Sequence, residues 1–385
     1  MQFIDLAAQQ ERIRERIEAN IAAVLDHGKY IMGPEIQSLE EKLAQYVGVK
    51  RAISCASGTD ALLLALMAYD IGPGDAIFTT PFTFIATGEV ISLLGATPVF
   101  VDIDPQTFNM DPSKLELAIQ AIRENQETGL PLPRSVKPLV PRGIIAVDLF
   151  GQPADYDNIN AIAGRHSLFV LEDAAQSFGA EYKGNKACSL AQIGGTSFFP
   201  AKPLGCYGDG GMCFTDDDNL YEIMLSLRVH GKGRHKYDNV RIGMNGRMDT
   251  LQAAVLLAKF EIFPEEIELR QKVARKYSQL LNQYADVQTP AVEDEMLSAW
   301  AQYSVLAKDE THRTELQDKL KEAGIPTAIY YPKPLHLQTA FKSLGYEEGD
   351  FPVSEDSSGR IFSLPMHPYL SDADQETIVK VLSGK

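Results

Sequence analysis

SLFVLEDAAQSFGA, residues 167–180, decides the fold class. An apolar run of strand length ends in two acids, Glu172 and Asp173, and small residues follow. That is the pattern of a buried strand with an acid at its carboxyl end, and in open α/β sheets ligands bind outside the carboxyl ends of strands. Asp173 is thereby placed at a candidate ligand site, the alternative being a cap on a following helix. Outward from this strand, further strand candidates at 51–55, 76–80, 97–102, 143–148, 194–199 and 211–215 alternate with helical patterns. The alternation predicts an α/β fold, a mixed and mostly parallel sheet covered by helices.

Two amphipathic helices precede the first strand, with Ile13, Ile17, Ile21, Val24 and Leu25 on one stripe and Ile36, Leu39, Leu43 and Val47 on the other. After the last strand, RMDTLQAAVLLAKFEIFPEEIELRQKVARKYSQLL is strongly helical, with Pro264 marking a break. A chain of 385 residues exceeds the usual single-domain length. The expected division is residues 1–263, an N-terminal arm plus a large domain, and 264–385, a smaller C-terminal α/β domain.

SFFPAKPLGCYGDGG, residues 197–211, holds one lysine in an unusual setting. Pro203 pushes Lys202 out of the α region, so its amine is aimed by a turning backbone. Apolar neighbours desolvate the amine and lower its pKa, which a Schiff-base lysine needs to be nucleophilic near neutral pH. A loop lysine beside a buried strand is the plainer reading. A pyridinium nitrogen would give Asp173 the cationic partner that a buried carboxylate requires. A third segment, AISCASGTDALLLALMA, residues 52–68, reads as strand, tight turn and helix. Its Ser57-Gly58-Thr59 turn offers backbone N–H groups and hydroxyls at a helix N-terminus, which suits a phosphate or a simple cap.

The formal net charge of −16 argues against a nucleic-acid partner. The window from Arg228 to Arg247 is the exception: Arg228, Lys232, Arg234, Lys236, Arg241 and Arg247 face only Asp238. A patch of that sign favours the approach of anionic substrates, although charge runs are commonly solvated loops. The four cysteines, Cys55, Cys188, Cys206 and Cys213, show no metal-ligand spacing and sit in apolar or turn settings, which predicts reduced thiols and no metal site. No signal-peptide pattern opens the chain and no apolar run is long enough to span a membrane, so a cytoplasmic protein is expected.

Taken together, FIDLAAQQ, GKYIMGPEI, SGTDAL, PFTFIAT, EDAAQSFGA, SFFPAKPLGCYGDGG, NGRMDTLQAA and SLPMHPYL, in this order and spacing, resemble the DegT-type sugar aminotransferases. These are pyridoxal-phosphate enzymes with the aspartate aminotransferase fold, and the resemblance covers nearly the whole chain. Among their branches, the chain is most similar to enzymes that aminate 3-keto nucleotide sugars, especially UDP-linked N-acetylamino uronic acids bound for surface polysaccharide.

The resemblance implies roles. Lys202 corresponds to the lysine that binds pyridoxal 5'-phosphate covalently, and Asp173 to the acid paired with the ring nitrogen. Gln176 matches the contact to the ring hydroxyl, and Phe84 the aromatic stacked on the ring, a core phenylalanine being the plainer alternative. Gly58, Thr59 and Ser197 match phosphate contacts. Asn245 and Arg247 match residues supplied by the neighbouring subunit of a homodimer, near the phosphate and a substrate carboxylate. His230, Tyr331 and His336 resemble parts of the sugar-nucleotide pocket. The family frequently has histidine where this chain has Tyr330. L-glutamate is the implied amino donor and a nucleotide-linked keto sugar the acceptor.

Three rivals follow. Related sugar dehydratases replace the cofactor lysine with histidine, and Lys202 argues against that chemistry. A 4-keto or 3-keto 6-deoxy hexose is the alternative acceptor. A non-catalytic regulatory or binding protein on the same scaffold is the reading from another class. One stretch departs from relatives: between Ala121 and Gly143, IRENQETGLPLPRSVKPLVPR is long, polar and proline-bearing, and reads as a mobile insertion or, less simply, a segment over the active site.

Overall fold

The computed structural model describes residues 1–124, 130–135, 138–235 and 237–384. The central sheet has seven strands: β1 Arg51–Cys55, β2 Asp75–Thr79, β3 Thr97–Phe100, β4 Val140–Val147, β5 Phe169–Asp173, β6 Ile193–Ser197 and β7 Gly211–Thr215, in the order β1-β7-β6-β5-β4-β2-β3. Strands β3, β2, β4, β5 and β6 run parallel, while β7 is antiparallel to both β6 and β1. A parallel return needs a long crossover, usually through a helix. The link from β6 to β7 holds turns and no helix, so the chain comes back antiparallel, and Lys202 lies in that link.

All seven strands foreseen are present, two of them with the foreseen bounds and the others with ends moved by up to three residues. The largest shift is at β4, which begins at Val140 because Val140 and Pro141 already pair with Asp75 and Ala76 of β2. The helical break falls at residues 261–262, between α8 (Thr250–Phe260) and α9 (Phe263–Tyr284). Pro264 sits in the first turn of α9, where its missing N–H costs no helical hydrogen bond.

The sheet is covered on both faces, and strand alternation assigns each residue to one of them. On one face Ile77, Ile145, Leu171 and Ile193 pack with α3 (Gly58–Ala68), α4 (Ile85–Leu93) and α7 (Asp218–Arg228). On the other, Phe78, Ile144, Ala146 and Val170 pack with α5 (Pro112–Glu124) and α6 (Tyr156–His166). Following that alternation, Asp173 shares the side of Leu171 and Glu172 the side of Val170. The N-terminal helices α1 (Leu6–His27) and α2 (Pro34–Val47) lie against α8, with Ile13 and Ile17 of α1 meeting Val255 and Ala258. A separate core of residues 273–382 joins α9, α10 (Glu310–Glu322) and α12 (Asp372–Ser383) to a two-stranded sheet, β8 Tyr303–Leu306 with β9 Ile361–Leu364. Between those strands and packed on the large sheet, α11 (Pro352–Arg360) is held by Asp102, which accepts from the Val353 and Ser354 N–H groups and the Ser354 hydroxyl.

Two features of the sequence acquire a different meaning. Arg228 is buried and paired with Glu40 at 2.7 Å while donating to the Ser54 carbonyl, so it ties α7 to α2 and β1 and does not belong to a surface basic patch. Of the long polar stretch after α5, residues 125–129 and 136–137 lie outside the described residues; Arg134 N–H donates to Leu344 O at 2.7 Å, fixing that part against the segment before α11. No helix among the described residues is long and apolar enough to cross a membrane.

Candidate active site

The carboxyl ends of β4, β5 and β6 converge: Asp173 pairs with Val147 on one side and Gly195 on the other. No helix follows Asp173 directly, so its carboxylate caps nothing. Instead Oδ2 accepts from the Thr87 hydroxyl at 2.7 Å, Oδ1 accepts from the Ala175 N–H at 3.2 Å, and the Thr87 hydroxyl lies 3.2 Å from that of Thr83. Since Thr87 gives its one proton to Asp173, it accepts from Thr83. These three side chains are buried. Burial pushes the Asp173 carboxyl up from its ordinary range, and the hydrogen bonds and the nearby Lys202 ammonium draw it back down.

Lys202 occupies the turn foreseen for it, with its N–H donating to Phe199 O at 2.9 Å. Burial lowers the pKa of its amine and the charge of Asp173 raises it. The amine has no ion pair and no hydrogen bond to a side chain among the described residues.

The phosphate turn is present. Ser57 caps α3, its hydroxyl accepting from Asp60 N–H at 3.0 Å, which leaves the N–H groups of Gly58 and Thr59 at the helix N-terminus free for an anion. A Cβ on Gly58 would come 2.6 Å from the Ser197 Cβ, so only glycine lets the end of β6 approach this turn. Thus Gly58, Thr59 and Ser197 are brought together.

On the opposite side, Gln176 accepts from the Phe150 N–H at 2.8 Å and donates to the Tyr331 hydroxyl at 3.2 Å. Burial raises the pKa of Tyr331, and the charge of Asp173 adds to this. Phe84 is 55% exposed, so it is not a core phenylalanine, and its ring lies 6.4 Å from that of Tyr331. An exposed aromatic at the start of α4 is a surface for stacking a planar ring.

Three other residues lie on the segment that follows α7, where Gly246 O accepts from Ala56 N–H at 3.0 Å. Asn245 Oδ1 accepts from Arg247 Nε at 3.0 Å and Nη2 at 2.7 Å, and both residues border a concavity of about 400 Å³ with Ile31, Ala56, Gly208 and Asp209. His230 is exposed, in a short ladder in which its N–H donates to Met244 O. Lys232, Arg234, Arg241 and Arg247 line a neighbouring cleft with Glu222 and Asp238, while Lys236 lies outside the described residues. His336 departs from expectation: its side chain is fully covered, bonded to Glu355 at 3.0 Å and packed on Phe351, and burial lowers its pKa. These are the contacts of a structural histidine; being fully covered, it has no surface to offer a ligand.

Comparison with known proteins decides the family. Residues 11–383 match the DegT/DnrJ/EryC1/StrS aminotransferase family. The chain belongs to this family. It is 49% identical over 384 residues, covering 100% of both chains, to the UDP-2-acetamido-2-deoxy-3-oxo-D-glucuronate aminotransferase of Pseudomonas aeruginosa. Among solved structures, it is similar to a DegT DnrJ EryC1 StrS aminotransferase from Brucella abortus, with TM-score 0.94 and 50% identity over 100% of this chain and 99% of that one. A putative sugar aminotransferase from Streptococcus pneumoniae, solved in its PMP form, superposes with TM-score 0.86 at 25% identity over 96% of this chain and 94% of that one. Membership makes the chain an aminotransferase with the fold of this family, in which the Lys202 turn and the Asp173 strand end meet at the centre.

Sequence reasoning missed Thr87 as the partner of Asp173 and the Gln176–Tyr331 bond. Both contacts join segments far apart in the sequence, Thr87 to Asp173 and Gln176 to Tyr331, and no local pattern marks them.

Proposed function

We propose that the chain transfers the amino group of L-glutamate, through pyridoxal 5'-phosphate, to the 3-keto group of a UDP-linked N-acetylamino uronic acid in the cytoplasm, for surface polysaccharide. The observation that carries this reading is the full-length similarity to the Pseudomonas aeruginosa enzyme, together with a buried amine, Lys202, and a buried acid, Asp173, that act on each other's charge. The residues fit the cofactor. Among the described residues Asp173 is a buried acid without an ion pair and Lys202 an amine without one, and the Ser57–Thr59 turn presents backbone N–H groups at a helix N-terminus.

Bound there, pyridoxal phosphate supplies an electron sink that stabilises negative charge on the carbon next to the transferred nitrogen. Lys202 would be the residue that holds it, and its free amine would take a proton from the donor's α-carbon and return it to the carbon on the far side of the transferred nitrogen. Its lowered pKa keeps the amine neutral for that task nearer to neutral pH than an ordinary lysine. Asp173 holds the ring nitrogen protonated, with Thr87 and Ala175 N–H fixing the carboxylate. Gln176 and Phe84 orient the ring, and Gly58, Thr59 and Ser197 hold the phosphate.

Asn245 and Arg247 complete the site of a second copy in a homodimer, which the exposure of the nearby apolar Ile242, Tyr30 and Ile31 supports, and His230 lies in the sugar-nucleotide pocket. Arg247 takes a substrate carboxylate in its planar fork. Tyr331 contacts the sugar. We place the domain division at residues 263 and 264.

The test is a glutamate-coupled assay with the UDP-linked 3-keto uronic acid and, separately, a dTDP-linked 4-keto-6-deoxy hexose, reading products by mass and NMR. Amination at the 3-position of the uronic acid is expected. Turnover of the hexose alone would replace the acceptor.

A further inference from the structure

Glu172 stands one residue before Asp173 on β5 and points to the opposite face of the sheet. There it meets Asp148, just beyond the end of β4, and both side chains are fully buried. Glu172 pairs with Ala146 across β4 and β5, and Asp148, two residues further on, shares that face, so the two buried carboxyls lie side by side and influence each other. Two buried carboxylates with no cation beside them do not both stay ionised, so one of the pair is protonated.

Every oxygen of the two carboxyls also accepts from the protein. Asp148 Oδ1 accepts from Ala154 N–H at 3.0 Å and the Tyr156 hydroxyl at 2.8 Å, and Oδ2 from the Ser177 hydroxyl at 2.7 Å. Glu172 Oε1 accepts from Cys188 N–H, and Oε2 from Leu190 N–H at 2.9 Å. The titratable groups facing the pair are Tyr156 from α6, Cys188 from the segment before β6, and Asp173 from β5 itself. None is a cation, and neither carboxyl has an ion pair among the described residues. The pair is built to carry a single negative charge.

It is also wired to the site above it. Asp148 N–H donates to Asp173 O at 3.1 Å, Phe150 N–H to Gln176 Oε1 at 2.8 Å, and Ser177, which bonds Asp148, adjoins Gln176. We propose that Asp148 and Glu172 form a one-proton carboxyl pair that positions the backbone carrying Asp173 and Gln176, and that loss of its proton in alkaline solution loosens cofactor binding. The second half rests on the reading of those two residues as cofactor contacts.

The sign follows from linkage. Burial raises both carboxyl pKa values, so above the ordinary carboxyl range the folded chain holds one proton more than the unfolded one. The pair's contribution to stability is whole below the unfolded pKa and is lost as pH rises through the folded value, by up to about tenfold in the folding constant per pH unit.

Asp148→Asn isolates the effect. The amide oxygen keeps Ala154 N–H and Tyr156, the NH₂ donates to Glu172, and the Ser177 hydroxyl turns to accept, so the variant is a fixed neutral copy of the protonated acid. Melting of the cofactor-free protein and its dissociation constant for pyridoxal phosphate are measured from pH ~6 to ~9, spanning ordinary and raised carboxyl values. The variant should lose part of the wild-type fall in melting temperature, and its dissociation constant should rise roughly tenfold less than that of wild type across the range. Equal slopes in variant and wild type overturn the shared proton. A flattened melting slope with unchanged binding overturns the positioning role. If wild type binds no pyridoxal phosphate at any pH while the melting slopes differ, the pair stands and the functional reading fails. Should the variant not fold, infrared spectra of wild type decide: a protonated carboxyl band at neutral pH that disappears in alkali supports the pair, and its absence at neutral pH overturns it.

Discussion

Asp173 and Glu172 are neighbours in sequence and opposites in chemistry. Asp173 faces α4 and Lys202, an acid set beside an amine with no hydrogen bond between them; Glu172 faces Asp148 on the other side of the sheet, an acid set against an acid with every oxygen of the two accepting from the protein. Strand alternation alone separates them. The difference teaches how a buried charge is read. One left with an incomplete set of partners marks a ligand site, whereas one whose partners are complete marks scaffold, even when both pKa values move in the same direction for the same reason.

The comparison breaks first at Lys202. Lys202→Ala removes the amine while leaving the turn, and kcat should fall by about 10⁴-fold or more, because the loss of positioned acid–base catalysis alone is worth ~10²–10⁴-fold. Steady-state kinetics with glutamate check it, and a variant within tenfold of wild type would place the chemistry elsewhere.

Asp173→Asn should weaken pyridoxal-phosphate affinity by roughly 10–100-fold, the worth of one charge-assisted hydrogen bond. It also has a signed consequence. The Asp173 charge raises the Lys202 pKa, so its removal should move the rate of cofactor loading by the neutral amine to lower pH. Stopped-flow loading rates across pH test this; a shift to higher pH would mean that the two groups do not face each other.

Thr87→Val deletes one hydrogen bond to Asp173 at nearly constant volume. Affinity for the cofactor should drop by about tenfold, with Asp173 protonating more easily and the acidic limb of the pH profile moving up. Thr87→Ser should restore both. Smallest is the effect of His336→Gln, which touches neither acid: cofactor affinity should stay within about twofold, the scatter of surface and remote changes, while the melting temperature falls through the lost Glu355 contact.

Much of this was legible beforehand. The seven strands, the Lys202 turn and the Ser57 cap follow from local patterns, because alternation, proline and glycine act over a few residues. What escaped depends on contacts between distant segments. Arg228 reads as one of six cations in a basic window, and only the fold shows it sealed against Glu40. His336 resembles a ligand-pocket residue and is covered by Phe351 and Glu355. Phe84 could have been core and is exposed, since its place at the start of α4 turns it outward. The Asp148–Glu172 contact joins residues on adjacent strands with no spacing that marks them.

The measurement that tests the central claim most directly is the visible absorption spectrum of the purified protein loaded with pyridoxal phosphate, before and after L-glutamate in the absence of an acceptor. The account predicts a yellow protein whose visible band disappears on adding glutamate, with 2-oxoglutarate released in proportion to the sites and no such change in Lys202→Ala. A protein that takes up no cofactor, or whose band is unmoved by glutamate, would contradict it.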